Sequence, residues 1–307
     1  MNRDDALSSL LQALSERAYR FVTPTPLTHA RVLARAGRQT ARTLSDVFGW
    51  SLPFESRIVG DAMLSLMRDA GVLLPEPGGY RSTVRVSALD GHLFLHSAYP
   101  TLAGDAVFFG PDTYRFANFV NANLPAAAST LRCADIGCGS GAGAISAAGR
   151  LSASEWLLTD INAAALRLAE VNARHAGVAV QTVLSDVLAA VDGGFDLIIC
   201  NPPYLADEQQ RAYRHGGGDL GRELGLRIAA QACARLRPGG RLLLYTGVAI
   251  VDGVDPFLAE LQALLDGRDC RWRYIELDPD VFGEELERPV YAHADRIAAV
   301  GLCVERP

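Results

Sequence analysis

Apolar residues recur at helical spacing near the start of the chain: Leu7, Leu10, Leu11, Leu14 and Ala18 fall on one face, with Asp4 or Asp5 placed to cap it. The spacing predicts a first helix that buries this stripe and is broken by the Thr-Pro-Thr-Pro run at residues 23–26. A second helix is expected over residues 27–36, stopping at Gly37. A short helix over 41–48, a turn through 49–53 and a longer helix follow, the last carrying Ile58, Ala62 and Leu66 beside Val59, Met63 and Met67. That is the helix-turn-helix pattern. Val72 to Leu74, a Pro-Glu-Pro-Gly-Gly turn at 75–79 and a strand over 80–86 would then make a wing. Residues 1–100 therefore read as a small helical, winged-helix-like domain, with 87–105 as the link into a larger one at 101–307.

Beyond that link the period changes. Short apolar runs predict strands over 131–135, 156–160, 183–186 and 195–200, with later ones over 241–246, 271–277 and 296–304. Helices are expected between them over 144–149, 166–176, 228–236 and 256–265, the third stopped by Pro-Gly-Gly at 238–240. Strand and helix in alternation read as an α/β domain.

Gly137, Gly139, Gly141 and Gly143 stand at every second position after the first of these strands. Glycine accepts backbone angles that a Cβ forbids, so the turn can lie flat against a ligand while the next helix points its free N–H groups at it. The spacing Gly137-x-Gly139-x-x-Ala142 also fits the dinucleotide fingerprint, so the glycines alone leave a nicotinamide-dependent oxidoreductase open. The residues downstream discriminate. The first three strands end on Asp135, Asp160 and Asp186, and the fourth runs into Asn201-Pro202-Pro203-Tyr204.

Three strand-end acids followed by Asn-Pro-Pro-Tyr resemble the class I S-adenosylmethionine-dependent methyltransferases, in particular their amino- and amide-methylating branch. The resemblance runs over residues 108–304, about two-thirds of the chain. It implies a Rossmann-like seven-stranded sheet and S-adenosyl-L-methionine as cofactor, held by Asp135, Gly137, Gly139, Gly141, Asp160, Ile161, Asp186, Val187 and Asn201. Asp160 would grip the ribose hydroxyls and Asp186 would accept from the adenine amine. It also implies that Asn201, Pro202 and Tyr204 do the chemistry. An amide or aromatic amine has a delocalised lone pair; the Asn201 oxygen and the Pro202 carbonyl can each accept one of its N–H groups and draw off the developing positive charge. Two prolines fix φ and aim that carbonyl, while Tyr204 offers a flat face. Residues 107–114, Val-Phe-Phe-Gly-Pro-Asp-Thr-Tyr, resemble the segment that lines the cofactor pocket in protein-glutamine methyltransferases, which makes Phe109 and Thr113 candidates for contact. Gly110 stands where those enzymes have arginine, and Tyr114 where they have glutamate.

Charge narrows the partners. All 29 basic residues are arginine, which excludes lysine as catalytic base or Schiff-base former. Residues 1–100 carry a net +2 and the remainder −8, which counts against a long phosphate backbone as substrate. In the helix-turn-helix pattern, the second helix exposes Arg57, Asp61, Arg68 and Asp69, which sum to zero, so a packing or protein-recognition module fits better than a DNA-reading one. Six cysteines include no CxxC pair, and no metal site is expected. No apolar run approaches a membrane span, and the acidic start MNRDDALSSL leads us to expect a cytoplasmic protein. His-Gly-Gly-Gly at 215–218 has no GxSxG elbow to serve as an oxyanion hole, so residues 205–224 are expected to form a mobile lid. The acidic, aromatic stretch 278–294 is expected to shape specificity. The acceptor stays open between a protein glutamine, a nucleobase amine and a small amine or peptide metabolite. A nucleic-acid-binding regulator that senses the cofactor is the alternative of another class.

Overall fold

The computed structural model describes residues 1–126, 130–207 and 213–307. The leucine stripe folds as helix α1 (Arg3–Glu16), with Leu7, Leu10, Leu11 and Leu14 buried. Its cap is Asn2 rather than Asp4 or Asp5: the Asn2 side chain accepts from the Asp5 N–H at 2.8 Å. The two acids reach further, Asp4 pairing with Arg167 and Asp5 with Arg174.

Helices α2 (Pro26–Leu33), α3 (Leu44–Phe48), α4 (Ser56–Val59) and α5 (Asp61–Asp69) follow. The single longer helix of the expected pattern is thus two pieces, separated at Gly60, whose φ of 77° no helix contains. The expected wing strand is divided as well. Strand β1 (Leu73–Glu76) pairs antiparallel with β2 (Gly79–Ser82), but from Val84 the chain leaves them, and β3 (Val84–Leu89) pairs with β4 (His92–Ser97). Residues 87–105 are therefore more than a link. The overlooked signal is Asp90-Gly91, both at positive φ (49° and 84°), the pair that a two-residue hairpin turn favours.

The larger part of the chain comprises α6 (Pro111–Ala122), β5 (Leu131–Ile136), α7 (Ala142–Ala148), β6 (Ser154–Asp160), α8 (Ala163–Ala176), β7 (Val180–Leu184), β8 (Phe195–Cys200), α9 (Glu223–Arg235), β9 (Leu236–Ile250), α10 (Pro256–Leu265), β10 (Arg271–Asp278) and β11 (Arg296–Glu305). Its seven strands make one sheet in the order β10-β11-β9-β8-β5-β6-β7. All neighbours are parallel except around β11, which runs antiparallel to β9 and β10. The Rossmann-like α/β sheet is as the sequence predicts. Successive residues face opposite layers: Leu197 and Ile199 of β8 meet α6, α7 and α8, whereas Ile198 and Cys200 meet α9 and α10.

One helix serves both parts of the molecule. Leu168 and Val171 of α8 join the N-terminal core, while Leu166 and Ala169 join the core of the sheet. Between them Asn172, fully buried, accepts from the Leu95 N–H at 2.8 Å and donates to the carbonyls of Leu95 and Ser140 at 3.0 and 2.9 Å. It ties β4 to the glycine turn. Among the described residues no helix is long and apolar enough to cross a membrane.

Candidate functional site

Strand order reverses between β5 and β8, and in such sheets ligands bind outside the carboxyl ends of the strands at the reversal. A cavity of about 180 Å³ opens there. Gly137 and Gly139, at φ 66° and 53°, form its floor; a Cβ on either would meet nothing within 4 Å, because the space beside them is the cavity. Gly141 departs from the expectation of ligand contact. It lies off the cavity wall and lets α7 approach α8, its absent Cβ standing 3.2 Å from that of Ala169.

The strand-end acids take three different roles. Asp135, 1% exposed, accepts from the Ala144 N–H at 3.1 Å, and burial pushes its pKa up to about 7. Asp160 accepts from the Gly139 N–H at 3.0 Å and the Asn162 N–H at 2.9 Å, so it braces the glycine turn while facing the cavity; burial raises its pKa too. Beside it Ile161 is an exposed apolar side chain on the cavity wall. Asp186 lines the cavity as an exposed carboxylate, and it also has a partner that the sequence did not show. It lies two residues past β7, and Arg227 of α9 donates to both of its oxygens at 2.6 and 2.8 Å, which holds its pKa down. Val187 lines the cavity at φ 53°, a left-handed angle that costs a β-branched residue energy. Nothing in the sequence announces Arg227, since α9 meets Asp186 only through the fold.

Asp135 gives a pH prediction. An acid whose folded pKa lies above its ordinary 3.8 contributes stability that is full below about pH 4 and lost as pH rises through about 7, because ionisation is penalised only in the folded state. In cofactor-free protein, urea unfolding should therefore show Asp135→Asn gaining on the wild type between pH 5 and pH 8 by a few kcal/mol, at about 1.4 kcal/mol for each pKa unit. A difference that stays flat with pH would contradict this.

Of the segment before α6, Thr113 lines the cavity and its hydroxyl accepts from the Gly110 N–H at 3.2 Å. Phe109 does not. It is buried against Phe94, His96 and Tyr114, and the ring that reaches the cavity is that of Phe108. Successive residues of an extended segment point opposite ways, so a choice between the two needed the fold.

At the tip of β8, Asn201, Pro202 and Pro203 line this cavity and a second, adjoining one of about 70 Å³. Among the described residues no protein group hydrogen-bonds the Asn201 side-chain amide. Tyr204 lines the second cavity alone, and its ring occupies the place a side chain at Gly247 would need, 2.2 Å from where that Cβ would be. Its hydroxyl donates to Asp112 of α6, whose other oxygen accepts from Tyr245 at 2.8 Å and from Arg115 at 3.1 Å. Burial raises the Asp112 pKa and the hydrogen bonds oppose that rise. The sequence placed Asp112 in a marked segment without hinting at its partners, which lie 92 and 133 residues away.

Residues 208–212 of the expected lid lie outside the described residues. The glycine run after them is laced down rather than loose: Gly216 donates to Leu205 at 2.9 Å and Leu224 to Gly216 at 2.8 Å. A Cβ on Gly216 would sit 1.9 Å from the Gly221 carbonyl oxygen, so glycine here serves close packing. The stretch 278–294 does reach the site, through Phe282 in the wall of the smaller cavity.

Residues 115–249 match the family model described as "Methyltransferase small domain". The release factor glutamine methyltransferase of Koribacter versatilis is 31% identical over 162 residues, 48% of this chain and 54% of that one. That of Cereibacter sphaeroides is 38% identical over 158 residues, 44% and 56% of the two chains. The ribosomal RNA small subunit methyltransferase C of Chromohalobacter salexigens is 34% identical over 113 residues, 37% and 30%. The chain spans about half the length of the first two of these relatives.

Proposed function

We propose that the chain is an S-adenosylmethionine-dependent N-methyltransferase acting on an amide or amino nitrogen, with residues 101–307 as the catalytic domain and 1–100 helping to choose the substrate. The observation that carries this is the placement of Asn201, whose amide has no protein hydrogen-bond partner among the described residues and borders both the glycine-turn cavity and the smaller one beside it. The match of residues 115–249 to a methyltransferase family model supports it.

The residues present fit the cofactor. Gly137 and Gly139 leave a floor that any Cβ would fill, Asp160 and Ile161 offer a carboxylate beside an apolar face for a nucleoside, and Asp135 is a buried acid at the far end of the turn. When bound, S-adenosylmethionine supplies a methyl carbon already activated for displacement. The chain's own work is then positioning. Asn201 Oδ1 accepts one N–H of the acceptor and the Pro202 carbonyl the other, so the nitrogen is held with its lone pair free and its developing positive charge opposed. Tyr204, anchored through Asp112, keeps the wall of the acceptor cavity in place.

The test is incubation of the purified chain with methyl-labelled cofactor and separated protein, RNA and small-molecule extracts. Label transfer together with release of S-adenosylhomocysteine is expected; a chain that binds cofactor and never releases that product is a sensor, and the proposal fails.

A further inference from the structure

We infer that α2 and its connection to α3 form a docking surface for an acidic segment of another polypeptide that also carries aliphatic side chains. Residues 17–45 hold six arginines, Arg17, Arg20, Arg31, Arg35, Arg38 and Arg42, and no aspartate or glutamate. That is over half of the eleven arginines of residues 1–100, so the small net charge of this part of the chain hides one strongly positive stretch. The charged surface is therefore not the second helix of the expected helix-turn-helix pattern, where arginines and acids cancel.

Leu27 and Arg31 lie one turn apart on the side of α2 away from its buried His29 and Val32. Arg35 continues the row, its N–H bonded back to the Val32 carbonyl at 3.3 Å. Arg42 folds over the turn at Gly37, where a Cβ would stand 3.7 Å from its guanidinium, and Arg38 borders the same turn, paired with Asp46 at 2.8 Å and set over the Trp50 ring. Arg31, Arg35 and Arg42 are exposed, and among the described residues no carboxylate pairs with them. An unpaired guanidinium presents a planar fork that fits a carboxylate.

The acids that border the stretch do not cancel it. Asp46 is buried, and besides Arg38 its carboxylate accepts from the Arg42 and Thr43 N–H groups, both at 3.0 Å. Glu16 accepts from Gln12 at 3.0 Å, Glu76 is paired with Arg81 at 2.6 Å, and Asp105 is exposed on the loop that follows Tyr99. Beneath the surface, buried Arg85 donates to the Gly49 carbonyl at 2.8 Å and lies over the Phe21 ring, adding a charge that no carboxylate neutralises among the described residues.

Two features favour a polypeptide over a polynucleotide. Val22 and Leu27 are 67% and 41% exposed, aliphatic contacts for apolar side chains. The rings nearby are not free to stack on bases: Tyr19 and Phe21 are buried, Arg38 and His29 lie against Trp50, and Tyr99 packs on His29 at 3.9 Å. A long phosphate backbone would also meet residues 101–307, whose net charge is −8. The surface adjoins the site, because Thr101, two residues beyond Tyr99, accepts from the hydroxyl of Tyr213, which borders both cavities.

Fluorescence anisotropy with the full chain tests this against four labelled probes: a peptide of alternating glutamate and leucine, one of alternating glutamate and glycine, an oligouridylate of the same charge, and phosphatidylglycerol vesicles. The glutamate–leucine peptide should bind about tenfold more tightly than the other three. Arg31→Glu with Arg35→Glu should weaken that binding by about tenfold, and Leu27→Ser by about fivefold. Arg57→Glu with Arg68→Glu, the same change in net charge at exposed positions outside the stretch, should alter it by less than about twofold. Preference for the oligouridylate or the vesicles, equal binding of all four, no measurable binding, or equal loss in the two double variants overturns the proposal. The assay needs no cofactor, so its failure and the failure of the methyltransferase reading are separate results.

Discussion

Replacing Asn201 with alanine is expected to lower kcat by about 10²- to 10³-fold while S-adenosylmethionine affinity stays within about tenfold. The asymmetry follows from position. The glycine-turn cavity, the proposed cofactor site, keeps its floor and the carboxylates of Asp135 and Asp160 in the variant. On the proposed mechanism the acceptor nitrogen loses one of the two groups that would take its N–H bonds, an interaction that strengthens as charge develops in the transition state. Single-turnover measurement with saturating cofactor isolates the step. Wild-type rates in Asn201→Ala would remove the assigned role, whereas loss of cofactor binding would mean that Asn201 belongs to the cofactor cavity alone.

The second large effect lies behind the site. Asp112→Ala should destabilise the protein by about 3–5 kcal/mol, because it leaves two tyrosine hydroxyls and one side of Arg115 without their buried partner. For a chain of this size that corresponds to a fall in Tm of roughly 5–8 °C. Asp112→Asn, which keeps shape and one acceptor, should lose about half as much. Because Asp112 anchors Tyr204, the alanine variant should also raise KM for the acceptor more than it weakens cofactor binding. A change in stability below about 1 kcal/mol would show that the tyrosines find other partners and that the buried carboxylate is dispensable.

How far the site was legible depends on the length scale of each interaction. The glycine turn and the Asn-Pro-Pro-Tyr run are contiguous, and their backbone demands are written in residue type: positive φ at Gly137 and Gly139, fixed φ at Pro202 and Pro203. The strand-end acids were also identified, and the family resemblance gave Asp160 and Asp186 roles toward the cofactor, but not their protein partners. That Asp135 is buried, that Asp160 braces the glycine turn while facing the cavity, and that Asp186 pairs with Arg227 depends on neighbours brought together by strand pairing and by the helix packed over it. The choice of Phe109 over Phe108 failed because the two are adjacent and equally apolar, and only the packing of β4 against the segment settles which one turns inward.

By itself the sequence determined the alternation of strand and helix and the place where its glycine turn and its polar tetrapeptide stand, because hydrophobic period and φ preference act within a few residues; the seven-stranded sheet came from the family resemblance those residues carry. Tertiary structure alone decided which residues meet across the chain: Asp112 with Tyr204 and Tyr245, Arg227 with Asp186, Phe108 opposite Tyr213, and α8 shared between two cores. Those contacts join positions about 40 to more than 130 residues apart, and their geometry comes from the order in which strands pair and helices cover them, which no local pattern encodes.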